Sequence, residues 1–322
     1  MARISVIVPC YNSSAFLGRT VSSVLSQDMK EWELILVDDG STDSTPEIIQ
    51  DFCSRDPRIC SVRQENGGRA QACNLGAQQS SQDAQYLFFL DSDDQLVPDA
   101  LSLMSGYLDN HPEVGLLGCQ LQEIDEEEHL FGSSKRSRWV PGWFLPRKLS
   151  DEERETPFVT FFCATGQGPF AMFRKSVYKR TKGWEIELSP FSAHEDTDMF
   201  CQMALLAAVH YVPYRLYLKR VHGASVTQQA HLIQNAYAKF REKWDNYQTD
   251  DPRQQEVLRK AKKYYYTRHR PFRDLKVAAQ TFSLLLRHPS KERMNWFIFL
   301  CKSALGGMFF WRSEQRESLA NR

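Results

Sequence analysis

The sequence predicts an α/β protein with a mostly parallel sheet flanked by helices, followed by a C-terminal helical region. Short runs of β-branched and apolar residues alternate with segments of helical period along about the first 110 residues. This order is typical of parallel strands joined by right-handed crossovers. Three of these strands end in polar residues, which a parallel sheet brings to one edge.

The predicted elements follow one another closely. The expected strands cover residues 4–8, 33–37, 59–62, 86–90, 114–121, 158–164, 208–212 and 214–218. The first helix has apolar residues at helical spacing, and Ser13 or Ser14 is its expected N-cap. Pro46 suits the first position of the second helix. The strand from Tyr86 to Leu90 is apolar throughout, as expected for a strand buried on both faces.

Polar motifs follow three of these strands: residues 9–12, the pair Asp38 and Asp39, and the stretch Asp91-Ser92-Asp93. Ligands of open α/β sheets bind beyond the carboxyl ends of the strands. Carboxylate oxygens in such a crevice suit Mg²⁺ or Mn²⁺, which can bridge a protein to a diphosphate. The alternative is a set of capped turns, since Asp and Ser are favourable turn residues.

Composition limits the class of protein. The chain has 322 residues, of which 42% are hydrophobic and 25% charged, and its formal net charge is zero. The eight cysteines show no CxxC spacing, which disfavours a structural zinc site or a disulfide framework and suits a reducing compartment. No signal peptide is expected at the N-terminus, so we expect a cytoplasmic protein.

The three motifs together resemble the signature of family 2 glycosyltransferases with the GT-A fold. The match consists of Val-Ile-Val-Pro-x-Tyr-Asn, Val-Asp-Asp-Gly-Ser-Thr-Asp and Asp-Ser-Asp-Asp, and it covers about residues 3–105. The resemblance implies a Rossmann-like nucleotide-binding half. It also implies transfer of a sugar from a nucleotide diphosphate donor, usually with inversion, and a UDP-sugar is the expected donor.

The resemblance also implies roles for individual residues. The nucleotide-binding set is Pro9, Tyr11, Asn12, Asp39, Arg69, Asp91, Ser92 and Arg220, with Asp39 reading the base. A Mn²⁺ or Mg²⁺ ion is expected on Asp93, His222 and Asp91. One departure is Cys73, where the family often has Arg. Arg69 is expected either to supply that charge or to lie on the surface without a partner.

A second informative stretch is residues 194–198, ahead of a predicted helix. Acidic residues at a helix N-terminus are favourable by about 0.3–1 kcal/mol, so capping alone would explain them. The resemblance implies that this element supplies the catalytic base, with Asp196 as the first candidate and Glu195 as the second. A stretch resembling Arg-x-His-x-x-Ser then places Arg220 near phosphate and His222 near the metal.

We expect a glycosyltransferase domain over residues 1–228 and a helical region over 229–322. Residues 251–322 carry about ten more basic than acidic groups, which suits an anionic membrane surface. No nucleic-acid-binding signature is visible, so nucleic acid is not an expected partner. The last helices could either contact the inner face of the plasma membrane or pack on the domain.

The acceptor is expected to be a glycan or a lipid-linked saccharide. The Gln-x-x-Arg-Trp motif of processive synthases is absent from the sequence, which favours addition of one sugar at a time. Two alternatives to this function stay open at the level of sequence. One is a sugar-phosphate nucleotidyltransferase, and the other is a non-catalytic carbohydrate- or membrane-binding module that kept the fold.

Overall fold

The structure, a computed structural model, describes residues 2–130, 170–191, 195–223, 239–240, 242–244 and 246–264. The chain groups into two compact units, residues 1–148 with 164–249 and residues 149–163 with 250–322. The predicted strand 158–164 and the helices expected beyond residue 264 lie outside the described residues.

The described strands of the first unit form one eight-stranded sheet in the order β3-β2-β1-β4-β7-β6-β8-β5. The strands are β1 Ile4–Cys10, β2 Trp32–Asp39, β3 Ile59–Gln64, β4 Tyr86–Phe89, β5 Gln95–Leu96, β6 Val114–Ile124, β7 Ala171–Arg174 and β8 Ala208–Arg220. Pairing is parallel among β1 to β4 and between β6 and β8, whereas β5 and β7 pair antiparallel. The sheet is therefore mixed, with the expected parallel half at its N-terminal end.

Helices cover both faces of this sheet. They are α1 Leu17–Leu25, α2 Thr45–Arg55, α3 Arg69–Gln79, α4 Ala100–Asn110, α5 Lys175–Tyr178 and α6 Glu195–Leu206, with a 3₁₀ helix at Ile186–Phe191. Alternate residues of β1, such as Val6 and Val8, share a buried apolar cluster with residues of α1 and α4. Ile7 points to the opposite face and contacts α3, where a Cβ built on Gly76 would come within 2.3 Å of Ile7 Cγ2. Two-sided burial explains the unbroken apolar runs of the central strands.

Aromatic side chains fill the core on the α3 face. Phe89 of β4 lies 5.2 Å from Phe173 and 4.9 Å from Trp184, measured between ring centroids. Phe173 in turn lies 5.9 Å from Phe200 of α6. These edge-on and tilted contacts are favourable geometries for aromatic pairs. They fix α6 beside the carboxyl end of β4.

Three local expectations are corrected by the structure. The two strands expected within residues 208–218 form one strand, β8, whose register against β6 shifts at bulges. Strand β6 extends to Ile124, beyond the expected end at residue 121. The N-cap of α1 is Phe16, with no side-chain cap, because the Ser13 hydroxyl contacts Ser92 and its carbonyl accepts from the Leu17 N–H.

The described part of the second unit is a single helix, α7, at Pro252–Tyr264. Pro252 occupies its first turn, where a missing backbone N–H costs nothing. The guanidinium of Arg259 pairs with Glu256 one turn earlier, at 2.7 Å. Among the residues that the structure describes, we find no helix with the length and apolarity needed to cross a membrane.

Candidate active site

The topology gathers the ends of four strands at one edge of the sheet. Strands β1, β2 and β4 are mutually parallel, and β7 runs antiparallel to both β4 and β6. Because β8 is parallel to β6, its carboxyl end lies at the same edge as the carboxyl end of β4. The segments after these strands therefore meet, although about 130 residues separate the motif after β4 from the one after β8.

Pro9 lies where the hydrogen-bonded pairing of β1 with β4 ends. The Leu90 N–H donates to the Ile7 carbonyl at 2.9 Å, so the bonding groups of Ile7 face β4. Pro9 lies two residues further along β1 and faces the same side. The pairing of β1 with β4 ends at Phe89, so the missing N–H of Pro9 falls where β4 offers no partner. A crevice can open at that point.

Asn12 fastens the loop after β1 to the loop after β2. Its Oδ1 accepts from the backbone N–H groups of Thr42 at 2.8 Å and Asp43 at 3.3 Å, while its own N–H donates to Ser41 Oγ at 3.0 Å. Its φ of +49° is one that Asn tolerates better than most residues. Tyr11 beside it is 52% exposed, so its ring can cover a planar base. Asn12 thus holds the loop after β1 to the loop after β2, and the side chain of Tyr11 is exposed to solvent.

Asp39 is buried at the end of β2, and most of the hydrogen-bond acceptor positions of its carboxylate are occupied. Its Oδ1 accepts from Gln64 Nε2 at 2.7 Å and from the Gly67 N–H at 2.8 Å, and its Oδ2 accepts from the Gly68 N–H at 2.9 Å. A carboxylate has about four acceptor positions, which leaves one on Oδ2. The residue predicted to read the base therefore retains one acceptor for an N–H group.

Arg69 opens α3 and lies at the centre of the site. Its Nε donates to Asp91 Oδ1 at 2.8 Å, and its guanidinium lies 5.0 Å from the ring centroid of Trp184. Burial alone would lower the pKa of Arg69, but Asp91 and Glu195 nearby raise it well above the ordinary value. Cys73 lies one turn further along α3, where burial raises its pKa to about 12 and keeps the thiol neutral. Arg69 therefore supplies the positive charge here, and the surface alternative is excluded.

Asp93 and His222 come together from the ends of β4 and β8. His222 Nε2 lies 2.9 Å from Asp93 Oδ2, and the imidazole centroid lies 4.9 Å from the ring of Phe16. Asp94, next in the chain, is buried, and its Oδ1 accepts from the Arg220 N–H at 2.7 Å. Burial, together with Asp93, raises the pKa of Asp94 well above its ordinary value. The carboxylate of Asp93 thus contacts His222, whereas the buried carboxylate of Asp94 binds the backbone of β8 at Arg220.

The Asp93–His222 pair fits a divalent ion. A carboxylate and an imidazole suit Mn²⁺ better than Mg²⁺, and such ions are often held by one or two protein ligands plus substrate phosphates. Within the described ranges, no third His, Cys, Asp or Glu joins this pair at ligand distance. Asp91, also predicted as a ligand, is turned toward the Arg69 guanidinium instead. The structure therefore brings two of the three predicted ligands, Asp93 and His222, together and places Asp91 against Arg69.

Arg220 does not face the opening. Its side chain is fully buried, and Nε donates to the carbonyl of Asp93 at 3.0 Å. Its Nη1 donates to the carbonyls of Asp125 at 2.7 Å and Glu126 at 3.2 Å, and its Nη2 lies 3.3 Å from Glu128 Oε1. This corrects the expected contact with phosphate, because the guanidinium is used inside the protein. Arg220 instead ties the turn after β6 to the loop that carries Asp93.

The two candidate bases differ in environment. Glu195 is buried at the start of α6, and burial raises its pKa to about 7 despite the nearby Arg69 guanidinium. Its Oε2 has no hydrogen-bond partner among the described residues, and the same holds for Arg69 Nη2. Asp196 is half-buried, and its Oδ1 accepts from the Thr197 N–H at 2.6 Å. Asp196 is thus the more accessible of the two carboxylates.

A polar network that the sequence did not reveal holds α6 in place. The amide of Asn74 on α3 binds both backbone groups of Trp184, at 2.8 and 2.9 Å. Asp198 is fully buried and accepts from Lys243 Nζ at 2.9 Å and Trp244 Nε1 at 2.8 Å. Each contact joins residues at least 45 positions apart. The only signal in the sequence for this network was the presence of polar residues, such as Asn74 and Asp198, among apolar residues of predicted helices.

Sequence reasoning also did not predict the roles of Thr20 and Tyr217, whose hydroxyl groups contact the turn from Asp91 to Asp93. Ser92 was predicted to bind nucleotide, but its hydroxyl lies 2.7 Å from Ser13 Oγ and its carbonyl accepts from Thr20 Oγ1 at 2.8 Å. The hydroxyl of buried Tyr217 accepts from the Asp91 N–H at 3.3 Å. These contacts fix the backbone of the Asp91–Asp93 turn.

The strand order and the helices on both faces of the sheet define an α/β domain of GT-A type. Residues 5–181 match the family described as "Glycosyl transferase family 2". This match spans more than half of the chain, which therefore belongs to glycosyl transferase family 2. The family and the fold class expected from the sequence motifs are thus confirmed.

Individual relatives agree with this assignment. The chain is 46% identical over 92 residues to the glycosyltransferase GlyG of Streptococcus pneumoniae, covering 28% of this chain and 30% of that one. It is 26% identical over 224 residues to the chondroitin synthase of Escherichia coli, covering 70% and 30% respectively. The curated relatives it matches are aligned over only 14–44% of their own length.

Solved structures show the same fold. S. aureus TarS (residues 1–349) in complex with UDP-GlcNAc superposes with a TM-score of 0.63 at 17% identity, covering 95% of this chain and 81% of that one. The mannosyltransferase PcManGT of Pyrobaculum calidifontis, in complex with GDP-Man and Mn²⁺, has the same TM-score and identity, with 96% and 83% covered.

Proposed function

We propose that this chain is a metal-dependent, inverting glycosyltransferase that moves one sugar from a UDP-sugar to a hydroxyl group of a glycan or lipid-linked saccharide. The observation that carries the proposal is the Asp93–His222 pair at 2.9 Å, beside the Arg69–Asp91 pair at the same sheet edge. A divalent-ion pair next to a fixed guanidinium suits a ligand that carries a diphosphate. Family membership favours this function over a nucleotidyltransferase or a non-catalytic module.

The donor is bound along this edge in the proposed arrangement. The free acceptor position on Asp39 Oδ2 takes the imide N–H of uracil, and the exposed Tyr11 ring covers the base. Asp91 lies next to the ribose, with its carboxylate held by Arg69. Two neighbours with this fold were solved with different donors, UDP-GlcNAc and GDP-Man, so the choice of base is an experimental question.

Asp93 and His222 would hold a Mn²⁺ ion, which when bound neutralises the diphosphate as leaving group. On the opposite face of the sugar, Asp196 removes the proton of the acceptor hydroxyl while its oxygen bonds to the anomeric carbon. The bond from that carbon to the diphosphate oxygen breaks, and the configuration inverts. General-base assistance of this kind contributes about 10²–10⁴-fold. Buried Glu195 positions the N-terminus of α6 behind it.

A thermal-shift titration with UDP, GDP and TDP, each with Mn²⁺ and with EDTA, tests the donor site. Binding to the folded state raises apparent stability by about 2.7 kcal/mol at a hundredfold excess over Kd. We expect a Mn²⁺-dependent shift with UDP that Asp93→Asn and His222→Ala abolish. An equal shift in EDTA would refute the requirement for a metal ion, and a shift with GDP alone would replace the UDP-sugar by a GDP-sugar as the proposed donor.

A comparison of Asp196→Asn with Glu195→Gln tests the base. We expect Asp196→Asn to keep the UDP-dependent thermal shift and to lose about 10²–10⁴-fold in kcat for transfer. Glu195→Gln should lose less, because Glu195 is buried and Asp196 is accessible. The reverse order, with Glu195→Gln the more severe, would assign the base to Glu195.

We further propose that residues 229–322, predicted from sequence to be helical, make peripheral contact with the inner face of the plasma membrane, where a lipid-linked acceptor would be met. Their excess of about ten basic groups supports attraction to anionic lipid. Flotation of the full chain with vesicles of anionic lipid, and with neutral vesicles as control, tests this contact. Equal recovery with both vesicles, or with neither, would argue against it.

A further inference from the structure

A second group of potential metal ligands lies far from the proposed donor site. His111 follows α4, Glu113 precedes β6, and His210 lies near the start of β8. One ligand atom from each lies within 4.8 Å of the others. His111 Nδ1 is 3.5 Å from Glu113 Oε1, and the two imidazole centroids are 5.8 Å apart. Two chain segments, the turn between α4 and β6 and the start of β8, thus converge on one point.

This cluster is at the opposite end of the sheet from the Asp93–His222 pair. His210 and Arg220 are ten residues apart on the same strand, β8. At about 3.3 Å per residue this separation is on the order of 30 Å. A metal bound at the cluster would therefore be independent of the donor and its diphosphate.

The three side chains form a donor set suited to zinc. Two imidazoles and one carboxylate are a known Zn²⁺ ligand set, with a further position open to water. Nitrogen donors also disfavour Mg²⁺ and Ca²⁺. Histidine ligands are usually oriented by a contact to the other ring nitrogen. Here the Tyr107 hydroxyl lies 2.9 Å from His210 Nδ1, and its ring stacks on His111 at 4.2 Å.

The surroundings of the cluster leave its ligands partly accessible. Glu113 is exposed, and His111 and His210 are partly buried. A cavity of about 340 Å³ borders the cluster and is lined by His111, Tyr107 and the exposed Tyr214. Solvent can therefore reach His111 from the cavity and Glu113 from the surface.

We propose that His111, Glu113 and His210 bind Zn²⁺ and thereby clamp the end of α4 and the start of β6 to β8. The site is distinct from the donor site. Its expected effect is on the stability of the domain.

The test uses the full chain with the His222→Ala change, which removes the imidazole of the donor site. Equilibrium dialysis against Zn²⁺ should give one bound ion per chain, and Zn²⁺ should raise the melting temperature. Both effects should disappear in this background when His111→Asn or Glu113→Gln is added. His129→Asn is the matched control, because it alters the other group of potential ligands, formed by Asp125, Glu127 and His129.

Absence of bound zinc in the His222→Ala chain would overturn the proposal, as would zinc that survives both His111→Asn and Glu113→Gln. Loss of zinc in the His129→Asn control alone would assign the ion to the other group and also overturn it. Glu113 is exposed, so Glu113→Gln should fold even if a change at partly buried His210 does not.

Discussion

Replacing Glu195 by Gln should change how the stability of the protein depends on pH. Glu195 is 3% exposed, and burial raises its pKa from 4.5 to about 7. A carboxyl group whose pKa is higher in the folded state stabilises the fold only while it is protonated. Its contribution is complete below pH 4.5 and is lost as pH rises through 7. Gln mimics the protonated form at every pH.

The size of the effect follows from the shift of the pKa. A displacement of about 2.5 pH units corresponds to about 3 kcal/mol once the group is ionised in both states. Integrated between pH 5.5 and 8.5, the wild type should lose about 2 kcal/mol relative to Glu195→Gln. For a unit of this size, that corresponds to about 4–8 °C in melting temperature.

Urea unfolding at pH 5.5, 7.0 and 8.5 measures this difference directly. The Gln amide introduces a cost of its own, but that cost does not vary with pH. We therefore expect the stability of Glu195→Gln relative to wild type to rise between pH 5.5 and 8.5. Glu187→Gln, at an exposed position, is the control and should show no such trend. If the difference in unfolding free energy between Glu195→Gln and wild type did not change with pH, the raised pKa of the buried Glu195 carboxyl would be refuted.

Three further predictions concern packing and the loops of the site. Gly76→Ala should lower the free energy of unfolding in urea by about 1–3 kcal/mol, because the added Cβ would meet Ile7 Cγ2 at 2.3 Å. Gly106→Ala is the control: its added Cβ would meet nothing within 4 Å, so the change should be neutral or stabilise by up to about 1 kcal/mol. Arg220→Lys keeps the charge but loses the forked contacts to three carbonyls, and should cost about 3 kcal/mol in the same assay. Asp39→Asn removes an acceptor from the Gly67 or Gly68 N–H, so it should lose about 2 kcal/mol of stability and weaken UDP binding in calorimetry; unchanged UDP affinity would exclude Asp39 from the base pocket.

Local pattern determined much of the fold. The alternation of apolar strands and helices located the parallel half of the sheet, because two-sided burial requires unbroken apolar runs. The positions of Asp39, Asp91 and Asp93 at strand ends followed from the same pattern. The antiparallel strands β5 and β7 were less visible, since short strands carry little periodic signal.

The sequence motifs alone determined the family, the strand ends that carry the carboxylates and the acidic N-terminus of α6. Only the tertiary structure decided what each side chain faces: Asp93 meets His222, Arg69 binds Asp91, and Arg220 is turned inward. The physical reason is that a residue's type is local, whereas its partner depends on how distant strands are ordered. Hydrogen bonds across more than 100 positions leave no periodic trace in the chain.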